Sequence, residues 1–443
     1  MPTAAKPKWI FPTVATQFIN WTAISNDAER MVAGTFEFNK WDTHTTYCFD
    51  RSGKVLWKDD LVNSFDGVFW VAISADGNYA ASGGYRGVYN SAAPKKSVIN
   101  GFIRAYDAET GKVLLDETTA SRVGSLEFSA DGGWLVAGSG DKAYRESLVY
   151  LFRRENNGYV KADTFAATGG DVGSVSISGD GKWVVAGMSG STHREENISS
   201  TTEQAGNIAE VRLFENQHGK LIEKARWQDE KDLQIYIQMV RITPDAKWIA
   251  ASGPRGMVYL FNRTAFIKSK QPNWTYRCAS PKNVYGVSIS NDGQFIAAPN
   301  NISENEGGLI YLLKNVKSGK GYKPSVVWTG KTSRSPNPGV TMDAKAKFVT
   351  AADGYPVAKP TKPSPGHLSL FSREQLSAVK KTKSKKKPKS GTKSAPRVQP
   401  LWTLETPDMC WPMSISADGA GIIAGDDDGN VYFFETSDVT RTL

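Results

Sequence analysis

Four histidines, three cysteines and one run of three aspartates are the residues of this 443-residue chain best suited to hold a metal or move a proton. His44, His193 and His367 fall in stretches that read as loops of one face, and His218 falls on the other. No pair of them stands at metal-ligand spacing, so they read as solvated loop histidines. Cys48, Cys278 and Cys410 are scattered without a CxxC, which argues against disulfides and zinc and for a reducing cytoplasm. The run Asp426-Asp427-Asp428-Gly429 offers carboxylates to calcium but lacks the alternating ligands of a calcium loop, and it reads as a turn. Glu195-Glu196 lies in a polar stretch that looks solvated. No Gly-rich phosphate loop opens a helix, and no nucleophile elbow is present. The expectation is therefore no catalytic residue, no metal and no cofactor.

A second group could bind rather than react. Between residues 373 and 400 stand eight Lys and two Arg against one Glu, a net +9 that equals the charge of the whole chain. The rest is therefore neutral, and the basicity lies in an insert over 375–398. Its centre holds Lys380, Lys381, Lys383, Lys385, Lys386, Lys387 and Lys389. Such a run repels itself and cannot bury apolar surface, which predicts disorder. It could bind nucleic acid or another polyanion by counterion release, or serve as a nuclear signal in a eukaryote. It contains no aromatic residue, so base stacking cannot add to that binding.

The elements that must position these residues are repeats. Trp21-Thr-Ala-Ile-Ser25-Asn-Asp27 returns as Trp70-Val-Ala-Ile-Ser74-Ala-Asp76-Gly77, and again at Ser125–Gly132 and Ser174–Gly181. Later copies begin at Met239, Gly286 and Met413, with a degenerate one at Gly339. Apolar and small polar residues alternate, as in a strand whose two faces differ, and Asp-Gly then marks a hairpin. A second strand follows (Trp134, Trp183 and Trp248 open three of them), then a third, then a fourth with a bulky anchor. The anchors are Trp57, Leu115, Phe165, Trp227, Trp274, Trp328 and Trp402. A period of roughly 50 residues with four strands per unit predicts propeller blades. The eighth anchor, Trp9, lies at the other end of the chain, so residues 8–12 should pair near Val431 and close the ring. The expected fold is all-β: one domain over 1–443, an eight-bladed propeller of four-stranded blades closed by its N-terminal strand.

This pattern resembles the WD-repeat and quinoprotein-like propeller families over nearly the whole chain. The segments Phe49-Asp-Arg-Ser-Gly-Lys-Val-Leu-Trp57 and Ala105-Tyr-Asp-Ala-Glu-Thr-Gly-Lys-Val-Leu-Leu115 look like the quinoprotein tryptophan-docking motif, though the second ends in Leu115. A quinoprotein enzyme would also need a calcium site, usually a vicinal cysteine pair, and normally export; this chain lacks the cysteine pair. Its first residues also lack the apolar core of a secretion signal. No 18-residue apolar run occurs, so no membrane span is expected.

In a propeller of this order the second-to-third and blade-to-blade loops share one face, here the top. Its loops, over 35–45, 84–100, 139–146, 189–207, 300–307 and 353–365, are long and unlike one another, as binding loops on a rigid scaffold are. Nine of the 13 tryptophans have repeat positions, and the other four are Trp21, Trp41, Trp70 and Trp411. Once the ring closes, all four fall in one top sector, with Phe69, Tyr85, Phe36 and Phe65 nearby. Trp21, Trp41, Trp70, Trp411, Phe69 and Tyr85 are thus the candidate partner-binding residues; the alternative is that they plug the channel. The expected function is a non-enzymatic cytoplasmic scaffold that binds a protein or peptide. A quinoprotein-like enzyme or ligand-binding propeller, and a polyanion or nucleic-acid adaptor acting through the insert, remain open alternatives.

Overall fold

The computed structural model describes residues 3–14, 16–93, 97–140, 147–167, 171–188, 209–229, 237–282, 284–303, 307–336, 339–354, 365–375 and 396–437. Residues 376–395 of the basic insert, including Lys380 to Lys389, lie outside them, as do His193 and Glu195-Glu196; the end of the insert is not disordered as expected, since Arg397–Val398 pairs as a strand. The described strands form a ring of seven sheets. This corrects the expectation of eight four-stranded blades. The first two repeats share sheet 1, a single six-stranded sheet ordered Phe18–Ile24, Arg30–Asp50, Val55–Ile73, Tyr79–Val88, Val98–Asp107 and Val113–Thr119. The fusion comes from two long strands of 21 and 19 residues. Arg30–Asp50 runs through the second and third strand positions of repeat one. Val55–Ile73 runs from its fourth position into the first of repeat two. The supposed loop 35–45 is therefore strand, and most of 84–100 extends the next hairpin, with Val88 paired to Val98.

Sheet 2 opens with Val123–Phe128, sheet 3 with Val172–Ile177 and sheet 4 with Met239–Ile242; each has four strands. Sheet 5 opens with Ser288–Ile289 and gains a fifth strand, Arg397–Val398, parallel to Thr329-Gly330. Sheet 6 opens with Val340–Met342 and gains Thr3–Ala4, parallel to Trp402-Thr403. In sheet 7, Ser414–Ile415, Gly421–Gly425 and Asn430–Glu435 are completed by Trp9–Pro12, antiparallel with Trp9 opposite Phe433 and Phe11 opposite Val431. This is the closure the anchor count predicts. It covers an edge that an open array would expose.

The repeated phrase builds the bottom turn. Ser178 Oγ donates to Asp180 Oδ1 (2.6 Å) and accepts from Trp183 N–H (2.9 Å), and Asp180 Oδ1 takes Lys182 N–H (3.0 Å). Ser25, Ser74, Ser129, Thr243, Ser290 and Ser416 repeat the hydroxyl-to-Asp bond. At the degenerate copy, Asp343 does both jobs, accepting from Lys345 and Phe348 N–H. Turns then link around the ring: Ala130 N–H to Gly179 O, Gly179 N–H to Pro244 O, Ala344 N–H to Ala417 O, and Asp418 N–H to Asn26 O across the closure. Pro244 has no N–H to pass the chain on. Because this hydroxyl is fully buried, Ser178→Ala should cost about 1–3 kcal/mol in urea unfolding. An unchanged midpoint would show that the turn holds without it.

Tryptophan anchors lock neighbouring repeats. Trp57 Nε1 donates to Ala108 O (2.8 Å), and its ring lies against Gly111 (φ 74°), where a Cβ would fall 2.6 Å from Trp57 Cγ. Trp9 meets repeat one in the same way, with Nε1 to Arg51 O (3.1 Å) over Gly53. Among the described residues one α-helix, Arg263–Ser269, is capped by Asn262 and sits between the third and fourth strands of sheet 4. The repeat pattern does not reveal it.

Candidate partner-binding face

The six sequence candidates fall into four environments. Trp21 and Trp70 stack face to face, 3.4 Å between ring centroids. The Arg241 guanidinium lies 5.9 Å from the Trp70 ring. Trp70 opens the inner strand of repeat two and Arg241 belongs to that of repeat five, so the two meet across the axis of the ring. Glu127 faces Arg241 from repeat three and takes a hydrogen bond from Ser176 Oγ (3.1 Å). This pair of tryptophans therefore sits inside the channel.

Phe69 and Tyr85 stand at the channel rim. Arg122 lies over both rings, at 4.1 Å and 5.7 Å. Asp66 is buried beneath the rim, and burial pushes its carboxyl up to about 6 while Arg122 opposes the shift. His44, expected as a solvated loop residue, is fully buried. Its Nδ1 meets Ser64 Oγ at 2.8 Å, and burial holds its pKa down at about 4, so the ring is neutral. His367 behaves oppositely: Asp353 Oδ1, 2.9 Å from its Nδ1, raises its pKa. Among the described residues, no three metal-ligating side chains stand close enough to hold an ion.

Trp41 lies at the tip of the sheet 1 extension, 5.3 Å from the rings of both Phe65 and Tyr89. Around it is a surface that pattern reading missed. Phe38, Val62, Val88, Tyr89 and Val98 are five of the ten exposed large hydrophobics among the described residues, and Val62 and Val88 are 68% and 69% exposed. All five belong to the upward extensions of sheet 1. The signal was present in the sequence, since Val88 and Val98 flank a polar tip as a hairpin would; taking 84–100 for a loop concealed it.

Trp411 occupies the fourth environment, at the top of sheet 7, where its Nε1 donates to Asp427 Oδ1. Asp426 beside it is a turn residue: its carboxylate accepts from Asp428 N–H, Asn430 and the Tyr432 hydroxyl.

The WD domain, G-beta repeat family matches residues 112–145. No curated protein matches the sequence. The fold is that of a β-propeller, with one stretch that matches a WD repeat. Two crystal structures of Sqt1 from Chaetomium thermophilum are similar to it, at TM-score 0.62 with 12% and 11% identity; the first covers 98% of both chains. A third, of the same protein bound to the N-terminus of the ribosomal protein L10, has TM-score 0.61 and 11% identity over 96% of this chain and 98% of that one. These matches accord with a non-enzymatic propeller. They support the WD-repeat side of the family resemblance and lend none to the quinoprotein side or to a nucleic-acid partner.

Proposed function

We propose that this chain is a non-enzymatic interaction scaffold that captures a protein or peptide with its top face, centred on the extensions of sheet 1. The observation that carries this reading is that Phe38, Val62, Val88, Tyr89 and Val98 stand exposed on the extensions of sheet 1, with Tyr89 against the half-buried Trp41. Apolar side chains gathered on rigid strands, rather than scattered singly, are characteristic of interaction surfaces. Sqt1, of the same fold at low identity, has been crystallised with the N-terminus of a ribosomal protein, which makes peptide capture a natural use of this architecture. Cys48, Cys278 and Cys410 are buried free thiols, which supports a reducing compartment such as the cytoplasm.

The test is affinity capture followed by titration of the recovered partner. Val88→Asp places a charge on a side chain that supports no core, so the melting temperature should hold. Binding by Val88→Asp and by Trp41→Ala should weaken by at least about 2 kcal/mol. Equal affinity for wild type and both variants would move the interface elsewhere.

A further inference from the structure

We infer that the bottom face of sheets 4 to 6 is a docking surface for the phosphate backbone of a nucleic-acid duplex. It lies on the opposite side of the ring from the partner-binding face and does not rest on that reading. The charges of the chain are segregated. Residues 246–291 and 307–342, which build most of sheets 4 and 5, contain no Asp or Glu. Three carboxylates of the bottom turns are engaged in those turns. Asp245 accepts from Thr243 Oγ1 and Lys247 N–H, Asp292 from Ser290 Oγ and Gln294 N–H, and Asp343 from Lys345 and Phe348 N–H. Glu374, exposed beside Arg373, is the remaining one among the described residues. Across the axis, Asp27, Glu29, Asp76, Asp107 and Glu109 line a recess under sheet 1 around Arg30. A polyanion is thus repelled from one half of the bottom face and drawn to the other.

A hairpin stands at the centre of the basic half. Gly307–Ser318 and Gly321–Thr332 pair as far as Ser318 opposite Gly321, and Lys314, Lys317, Lys320 and Lys323 along them are all exposed. A Cβ at Gly319 or Gly321 would have no atom within 4 Å, so the tip stands clear of the ring. Its stem is held in place. Tyr322 packs edge-on against Trp248 of sheet 4 (4.8 Å), and Trp274 Nε1 donates to Asn315 Oδ1 (3.0 Å).

On either side, sheets 4 and 6 each add an arginine already oriented by an aromatic ring. Arg263 lies over Trp183 at 4.3 Å; Arg373 lies over Phe295 at 4.7 Å and gives one N–H to Lys345 O (2.8 Å). A stacked guanidinium keeps in-plane donors for a phosphate. Lys247 and Lys347 stand exposed in the adjoining turns. Among the described residues none of these eight cations forms an ion pair, whereas Arg51, Lys58, Arg86 and Arg104 of sheet 1 are all paired. A protein interface needs a buried apolar or aromatic anchor. None of the ten exposed large hydrophobics among the described residues belongs to sheets 4 to 6. A phosphate backbone asks only for charge and donors. With no exposed aromatic to stack unpaired bases, the higher charge density of a duplex prevails over a single strand.

The test is fluorescence anisotropy on the full chain with a labelled RNA duplex of about 20 base pairs, its DNA counterpart and the single strand, at about 50 and about 200 mM salt. Both duplexes should bind alike, tighter than the single strand, and lose at least about a hundredfold between the two salts. The triple reversal Lys317→Glu, Lys320→Glu and Lys323→Glu touches no core, so the melting temperature should hold while duplex affinity falls at least about tenfold. The exposed Lys6, Lys54 and Lys112 lie away from this surface. Reversing those three to Glu changes the net charge equally and should cost less than about threefold. Val88→Asp, the top-face variant, should bind the duplex as wild type does, so failure of either surface leaves the other standing. Equal loss in both triple variants, no loss in the hairpin variant, or binding insensitive to salt overturns the proposal. Displacement of the duplex by poly-glutamate as readily as by unlabelled duplex, charge for charge, overturns it too and gives the face to an acidic protein.

Discussion

Deleting residues 1–12 should lower stability by about 3–5 kcal/mol, the combined cost of unseating the half-buried Trp9 and baring the edge it covers. The segment works as a strap across two sheets. Thr3–Ala4 lies along the Trp402 strand of sheet 6, and Trp9–Pro12 completes sheet 7. Trp9 packs 5.5 Å from the Phe49 ring and 5.4 Å from that of Phe433. Two ion pairs converge beside it, Lys8 and Arg51 on Glu435 at 3.5 Å and 3.1 Å. They are partly exposed, so they contribute little beside the apolar contacts. The loss joins the last sheet to the first, so its effect should reach the whole ring. Urea unfolding monitored by tryptophan fluorescence should show the midpoint falling, and Trp9→Ala alone should recover most of the effect. A truncated chain that unfolds at the full-length midpoint would mean that the strap is decorative.

Gly67→Ala is expected to destabilise by about 2–5 kcal/mol through two separable causes. Gly67 has φ of 85°, in the left-handed region where a Cβ is strained, and a Cβ there would lie 2.2 Å from Cγ of the buried His44 ring. It stands where the long strand Val55–Ile73 passes from repeat one to repeat two, paired with both Phe36 and Tyr85. His44 cannot retreat, being fully buried and tied to Ser64. The double variant Gly67→Ala with His44→Ala should recover only part of the steric cost, because the Cβ of residue 44 still lies 2.4 Å from the new one, and should leave the backbone strain. If the single variant melts like wild type, the fused sheet is more pliant than its packing implies.

The repeat phrase by itself determined most of this architecture, because its parts act locally. The hydroxyl of Ser178 and the carboxylate of Asp180 close their own turn within five residues, so spacing alone reveals turn, strand order and face. The same logic located Trp9: a missing anchor at one end and a spare one at the other can be satisfied only by ring closure, and Trp9 does pair with Phe433. The count of sheets was beyond local pattern. Whether two repeats stay apart or fuse depends on how Arg30–Asp50 and Val55–Ile73 pair above the ring, a long-range choice invisible to a pattern read one strand at a time. The candidate site divides along the same line. Composition and position singled out Trp41 and Trp411, whose side chains face loops and rim. They could not separate these from Trp21 and Trp70, which meet Arg241 inside the channel. Nor could they show that Val62 and Val88 stand exposed, or that Asp427 is buried among other carboxylates. Burial and charge proximity are properties of chain segments brought together from far apart, and only the closed ring brings them together.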